Sequence, residues 1–170
     1  MPKEKSCGAI VFKTAKNQRF LGHRKSSEMR VSSRTRSQLS GFSSEQKDGI
    51  KYLLLHYEAG HWDFPKGNQE KKETEEHAAA REVKEETGIS EIEFIKGFRE
   101  TIKYFYKKDG ETIYKEVVFF LAQSPTENVK LSFEHIGYAW LSYENAYKRL
   151  TFNNSKELLR KANWFLYKSG

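Results

Sequence analysis

Between Gly67 and Ile89 the chain reads GNQEKKETEEHAAAREVKEETGI, which crowds the acids Glu82, Glu85 and Glu86 together. On a helix beginning near Thr74, successive residues step about 100° around the axis. Glu82 and Glu86 then stand one turn apart on the same side, and Glu85 lies about 60° from Glu82 on its other flank. Like charges at that spacing repel one another and weaken a helix in water. A hard divalent cation removes the repulsion, since Mg²⁺ takes carboxylate oxygens and keeps waters for a phosphate substrate. The pattern points to magnesium-assisted phosphate chemistry, with Mn²⁺ as the alternative ion. Charge runs are usually solvated helix faces, but a solvated face has no need of the flanking Gly67, Arg81 and Gly88.

The same residues resemble the Nudix box, G-x5-E-x7-R-E-U-x-E-E-x-G-U, where U is a bulky aliphatic residue. Gly67, Glu73, Arg81, Glu82, Val83, Glu85, Glu86, Gly88 and Ile89 occupy all nine specified positions. The resemblance implies a pyrophosphohydrolase with an α/β/α sandwich fold and a mixed central sheet. It makes Glu82, Glu85 and Glu86 metal ligands together with the carbonyl of Gly67, where a glycine lets the backbone come close. It makes Glu73 and Arg81 an orienting pair, the guanidinium fork gripping carboxylates through bidentate bonds. Gly88 reads as a left-handed cap that ends the helix. His77 reads as a surface residue without chemistry.

Outside the box, His61-Trp62-Asp63-Phe64-Pro65-Lys66-Gly67, Arg99 to Tyr104 and Leu131-Ser132-Phe133-Glu134-His135 are similar to segments of the asymmetric dinucleoside tetraphosphate hydrolases. That resemblance implies phosphate contacts from His61, Lys66, Tyr104 and Lys115, an approach of Glu134 to the metals, and base stacking by Phe152. Either Glu86 or Glu134 serves as general base. Two departures stand out. Asn68 occupies a place where histidine often follows Pro-Lys-Gly, and Lys71-Lys72 replaces the usual Pro-Gly turn.

A chain of 170 residues fits a single domain with a real core. Only 37% of residues are hydrophobic, yet three Trp, nine Tyr and twelve Phe supply large burial area. The formal charge of +7 suits anionic partners such as nucleotides, and equally suits mere solubility. One cysteine, Cys7, excludes a disulfide framework and a Cys-based zinc site, and its apolar neighbours mark it as a buried inert thiol. No apolar run approaches a membrane span, and the opening Met-Pro-Lys-Glu-Lys is not a signal peptide, so a soluble cytoplasmic protein with no membrane partner is expected.

The elements that must carry the site follow from patterning. Strands are expected over Cys7–Lys13, Lys51–Tyr57, Ile92–Tyr106 and Thr112–Ala122, with Asp109-Gly110 as a hairpin turn and Ala139–Leu141 as a last short strand. Asn154 and Glu157 resemble a capping pair opening a helix whose Leu158, Leu159, Ala162, Phe165 and Leu166 share one face. Between the first two strands, about residues 23 to 47 form a basic Ser/Arg-rich insertion. From Arg19 to Ile50, Arg19, Arg24, Lys25, Arg30, Arg34, Arg36 and Lys47 outnumber Glu28, Glu45 and Asp48. Two readings stay open for it, a solvated insert and a basic arm for RNA or polyphosphate. The expected reaction is asymmetric cleavage of diadenosine tetraphosphate to ATP and AMP. The alternatives are 5′-end RNA pyrophosphohydrolysis and a non-catalytic nucleotide- or RNA-binding module. The oligomeric state is left open.

Overall fold

The computed structural model describes residues 1–14 and 49–169, so the expected insertion at about 23–47 lies outside the described residues. Among the described residues, seven strands form one sheet: β1 (Lys3–Thr14), β2 (Ile50–Tyr57), β3 (Trp62–Asp63), β4 (Lys66–Asn68), β5 (Glu93–Lys108), β6 (Glu111–Gln123) and β7 (His135–Leu141). Their order is β3-β2-β1-β6-β5, with β4 on β1 and β7 on β2. β1 runs parallel to β6, while β1–β2, β1–β4, β2–β3, β2–β7 and β5–β6 are antiparallel. The sheet is therefore mixed, as expected.

Alternation along the central strands divides the core into two layers. Ile10, Phe12, Tyr52, Leu54, Phe119 and Leu121 face the two C-terminal helices, α2 (Tyr143–Arg149) and α3 (Asn153–Ser169), meeting Ala146, Leu158, Leu159, Ala162 and Leu166. Ala9, Val11, Leu53 and Leu55 face the opposite side, where Val83 of α1 (Glu75–Thr87) packs on them. Cys7 and Val118 meet Ala78 and Ala79 of the same helix. Because both faces are covered, these strands read as nearly continuous apolar runs. Burial pushes the Cys7 thiol up to about 11, consistent with an inert group.

The helix carrying the acids has both ends built as expected. Thr74 is extended and its hydroxyl accepts the His77 N–H at 3.2 Å. Gly88 closes it at φ 73°, donating its N–H to the Lys84 carbonyl at 2.8 Å. The last helix starts at Asn153, and Glu157 pairs with Arg160 rather than reaching back as a cap partner. β3, β4 and α2 were not expected. β7 begins at His135, four residues before the expected start, so its first turn of pairing brings His135 beside Tyr57 of β2.

Candidate active site

β4 and α1 bring the box residues together. Lys66, Gly67 and Asn68 pair with Gly8, Cys7 and Ser6 of β1, which anchors their backbone beside the helix. A Cβ on Gly67 would run into the Glu82 carboxylate, so the glycine is required by close approach. Glu86 is buried, and its Oε2 accepts the Lys66 backbone N–H at 3.0 Å. Burial raises the Glu86 carboxyl to about 8, helped by the nearby charges of Glu82 and Glu134 and opposed by Lys66. Burial also raises Glu82, outweighing the bonds it receives from Arg81.

Arg81 organises the acids. Nε and Nη2 donate to the two oxygens of Glu73 at 2.9 and 3.0 Å, a bidentate pair that lowers the Glu73 carboxyl. Nη1 donates to Glu82 at 2.8 Å and Glu85 at 3.0 Å, and Nη2 also reaches the Asn68 carbonyl at 2.9 Å. Among the described residues no three His, Cys, Asp or Glu side chains converge as a closed metal cage. The donor set nevertheless fits a hard divalent cation: the desolvated Glu82 carboxylate lies against the Gly67 backbone, and the desolvated Glu86 carboxylate sits at the N–H of the adjoining Lys66.

Beside these acids lies a cavity of about 400 Å³ whose walls include Tyr57, Lys66, Gly67, Tyr104, Tyr106 and Lys115. Three of the four expected phosphate contacts, Lys66, Tyr104 and Lys115, thus line one cavity together with Gly67. The Lys115 ammonium donates to Asn68 Oδ1 at 2.8 Å and to Glu4 at 2.9 Å. The Lys66 ammonium donates to Asp63 Oδ2 at 2.8 Å and sits 4.6 Å from the Tyr57 ring centroid. Asp63 is itself fixed by the Ser155 hydroxyl at 2.7 Å, tying the lysine to α3.

His61 and Phe152 join this wall through Tyr57. His61 stacks on Tyr57 at 4.5 Å and meets Phe152 at 5.3 Å, while Phe152 remains 47% exposed. Burial and the Lys66 charge both lower the His61 imidazole, favouring its neutral form. Glu134 stands exposed at the turn before β7, where its charge reaches both Glu82 and Glu86. Glu85 is the most open of the three box acids, its side chain 57% exposed.

Sequence reasoning missed Tyr57, Asp63, Tyr106 and His135. Tyr57 is the joint of the site, touching Lys66, His61 and His135, and its hydroxyl donates to the Phe64 carbonyl at 2.8 Å. Its only sequence signal was its place at the end of an expected strand.

The sequence model of the NUDIX domain matches residues 43–162. The chain is 37% identical over 123 residues to a mouse protein named bis(5′-nucleosyl)-tetraphosphatase [asymmetrical], covering 69% of this chain and 81% of that one. It is 34% identical over 82 residues to an mRNA-decapping protein of African swine fever virus, covering 44% of this chain and 32% of the viral one. Among solved structures, a binary complex of the C. elegans Ap4A hydrolase superposes with a TM-score of 0.69 at 28% identity, covering 97% of this chain and 98% of that one. By its intact box, its fold and these likenesses, the chain belongs to the Nudix family.

Proposed function

We propose that this protein hydrolyses dinucleoside polyphosphates, cutting diadenosine tetraphosphate asymmetrically to ATP and AMP with Mg²⁺ as the working ion. The observation that carries the reading is the juxtaposition of the Glu82–Glu85–Glu86 acids and Gly67 with a cavity lined by Lys66, Tyr104 and Lys115. The relatives named for this activity support the substrate class.

Nudix hydrolases generally use divalent metal ions. Glu82, Glu85, Glu86 and the Gly67 carbonyl are the groups that would hold them here. When bound, such cations supply charge neutralisation to the bridging phosphates and acidify water. Lys66 and Lys115 add fixed positive charge along the cavity, where the polyphosphate chain lies. Tyr104 and Tyr106 line the same cavity, Tyr104 directly across the β5–β6 pairing from Lys115. Phe152, exposed beside His61, offers a ring face on which an adenine stacks.

Water attacks one phosphorus of the bridge in line with the departing phosphate oxygen, giving ATP and AMP. Its proton goes to a carboxylate, and Glu134 suits that role better than Glu86. Glu134 is exposed on the solvent side, whereas Glu86 is buried and committed to the Lys66 N–H. Arg81 keeps Glu73, Glu82 and Glu85 oriented throughout.

A second reading, removal of pyrophosphate or a cap from the 5′ end of RNA, is favoured by the likeness to the viral decapping protein. Product analysis separates the two: diadenosine tetraphosphate and triphosphorylated RNA are each supplied with Mg²⁺ and then with EDTA. ATP and AMP in equal amounts, abolished by EDTA, is the expected result. Turnover of RNA alone would move the assignment to the second reading, and no turnover of either would return it to a binding module.

A further inference from the structure

The Glu86 carboxylate is gripped on one oxygen and faced by an idle nitrogen on the other. Oε2 holds the Lys66 N–H at 3.0 Å, while Oε1 lies 3.4 Å from His135 Nε2. That ring nitrogen is buried and makes no hydrogen bond, in a side chain fully closed to solvent. Buried polar atoms without partners are rare and unfavourable, so the imidazole is held there by other forces.

Those forces are visible. His135 Nδ1 lies 3.0 Å from the Ser132 hydroxyl, and the Tyr57 ring packs edge-on against the imidazole at 4.4 Å. The turn that carries the histidine is anchored on Glu86 itself, because the Ser132 N–H donates to the Glu86 carbonyl at 3.2 Å. The His135 N–H in turn donates to the Ser132 carbonyl at 3.3 Å. Main chain and side chain of Glu86 thus both face the 132–135 turn.

We propose that His135 is a positioning residue that locks the Glu86 carboxylate from behind for cation binding. The Ser132 hydroxyl donates to Nδ1, which leaves the ring proton on Nε2. The Nε2–H then faces Glu86 Oε1 across 3.4 Å and donates to it once the carboxylate turns to a cation, complementing the Lys66 N–H on Oε2. With both oxygens held from the protein side, the outward lone pairs are fixed for a cation. Hydrogen bonds of this kind orient ligating carboxylates and strengthen metal binding. The proposal rests on the reading of Glu86 as a ligand.

The test measures Mn²⁺ binding to the substrate-free full chain by electron paramagnetic resonance, beside thermal midpoints in EDTA. His135→Leu should weaken Mn²⁺ binding by about ten- to a hundredfold while leaving the EDTA midpoint close to wild type. His135→Gln, whose amide N–H reaches the Nε2 position, should recover most of the affinity. Unchanged Mn²⁺ affinity in His135→Leu, or a lowered midpoint with unchanged affinity of the folded protein, overturns the proposal. If that variant does not fold, Ser132→Ala decides: it keeps the imidazole but frees the tautomer, and should weaken Mn²⁺ binding severalfold, with no change counting against the role. Glu86→Gln separates the two levels. Wild-type Mn²⁺ affinity in Glu86→Gln removes the ligand reading and this proposal with it, whereas a loss there beside an unaffected His135→Leu removes only this proposal.

Discussion

Glu86→Gln keeps the shape of the side chain and the bond to the Lys66 N–H but removes the carboxylate charge that a bound cation would draw out of this buried acid. Turnover should fall by at least about a hundredfold, the usual consequence of losing one charge-stabilising group. Folding should survive, because the buried carboxyl is replaced by an amide of equal volume. Steady-state kinetics beside a thermal melt checks both, and near wild-type turnover would remove Glu86 from the metal site. Lys66→Ala deletes a point charge from the cavity wall. Its expected signature is a raised Michaelis constant, and unchanged kinetics would leave Lys66 as a structural partner of Asp63 alone. At this scale the acids were legible because helical spacing acts within a few residues. Tyr57 and His135 were not, since their roles arise only when β7 pairs with β2.

The helix that presents the acids is fastened at its first turn. Glu75 accepts from Arg99 of β5 at 2.7 and 2.8 Å and from Lys5 of β1 at 2.7 Å. Arg99 first, with Lys5 assisting, lowers the Glu75 carboxyl from 4.5 to about 2. A depressed folded-state value means the contribution is complete above 4.5 and disappears as pH falls through about 2. The pair is partly exposed, so Glu75→Gln should cost about 1 kcal/mol at pH 7. Denaturant melts of both proteins should converge near pH 2, and a gap that persists there would show that the residue acts by packing. Long elements such as β1, β5, β6 and α1 were readable from apolar runs bounded by turn signals, helical spacing and caps. β3, β4 and α2 span two, three and seven residues, too short for any period to emerge. They form because neighbouring elements supply their partners.

Over the whole molecule, Thr14 pairs with Ile50, so the ends flanking the basic stretch already meet as a hairpin base. Removing about residues 25 to 47 and closing with a short turn should leave the fold intact, since that composition has little to bury. Diadenosine tetraphosphate hydrolysis should also survive. A loss confined to RNA binding, with a flatter salt dependence, would identify the stretch as a nucleic-acid arm. A truncated chain that fails to fold would show that it packs as part of the domain. Among the described residues, no helix is long and apolar enough to cross a membrane.

The parallel pairing of β1 with β6 has a consequence for biogenesis. The strand at the centre of the sheet is the first to be synthesised, yet its partner Tyr114–Gln123 comes more than a hundred residues later. At ribosomal speeds of roughly 5–20 residues per second, β1 waits on the order of ten seconds with one hydrogen-bonding edge unpaired. Cys7, sealed in the finished protein, stays open to alkylation during that interval. Nascent chains stalled before β6 should therefore label at Cys7, and chains released after it should not.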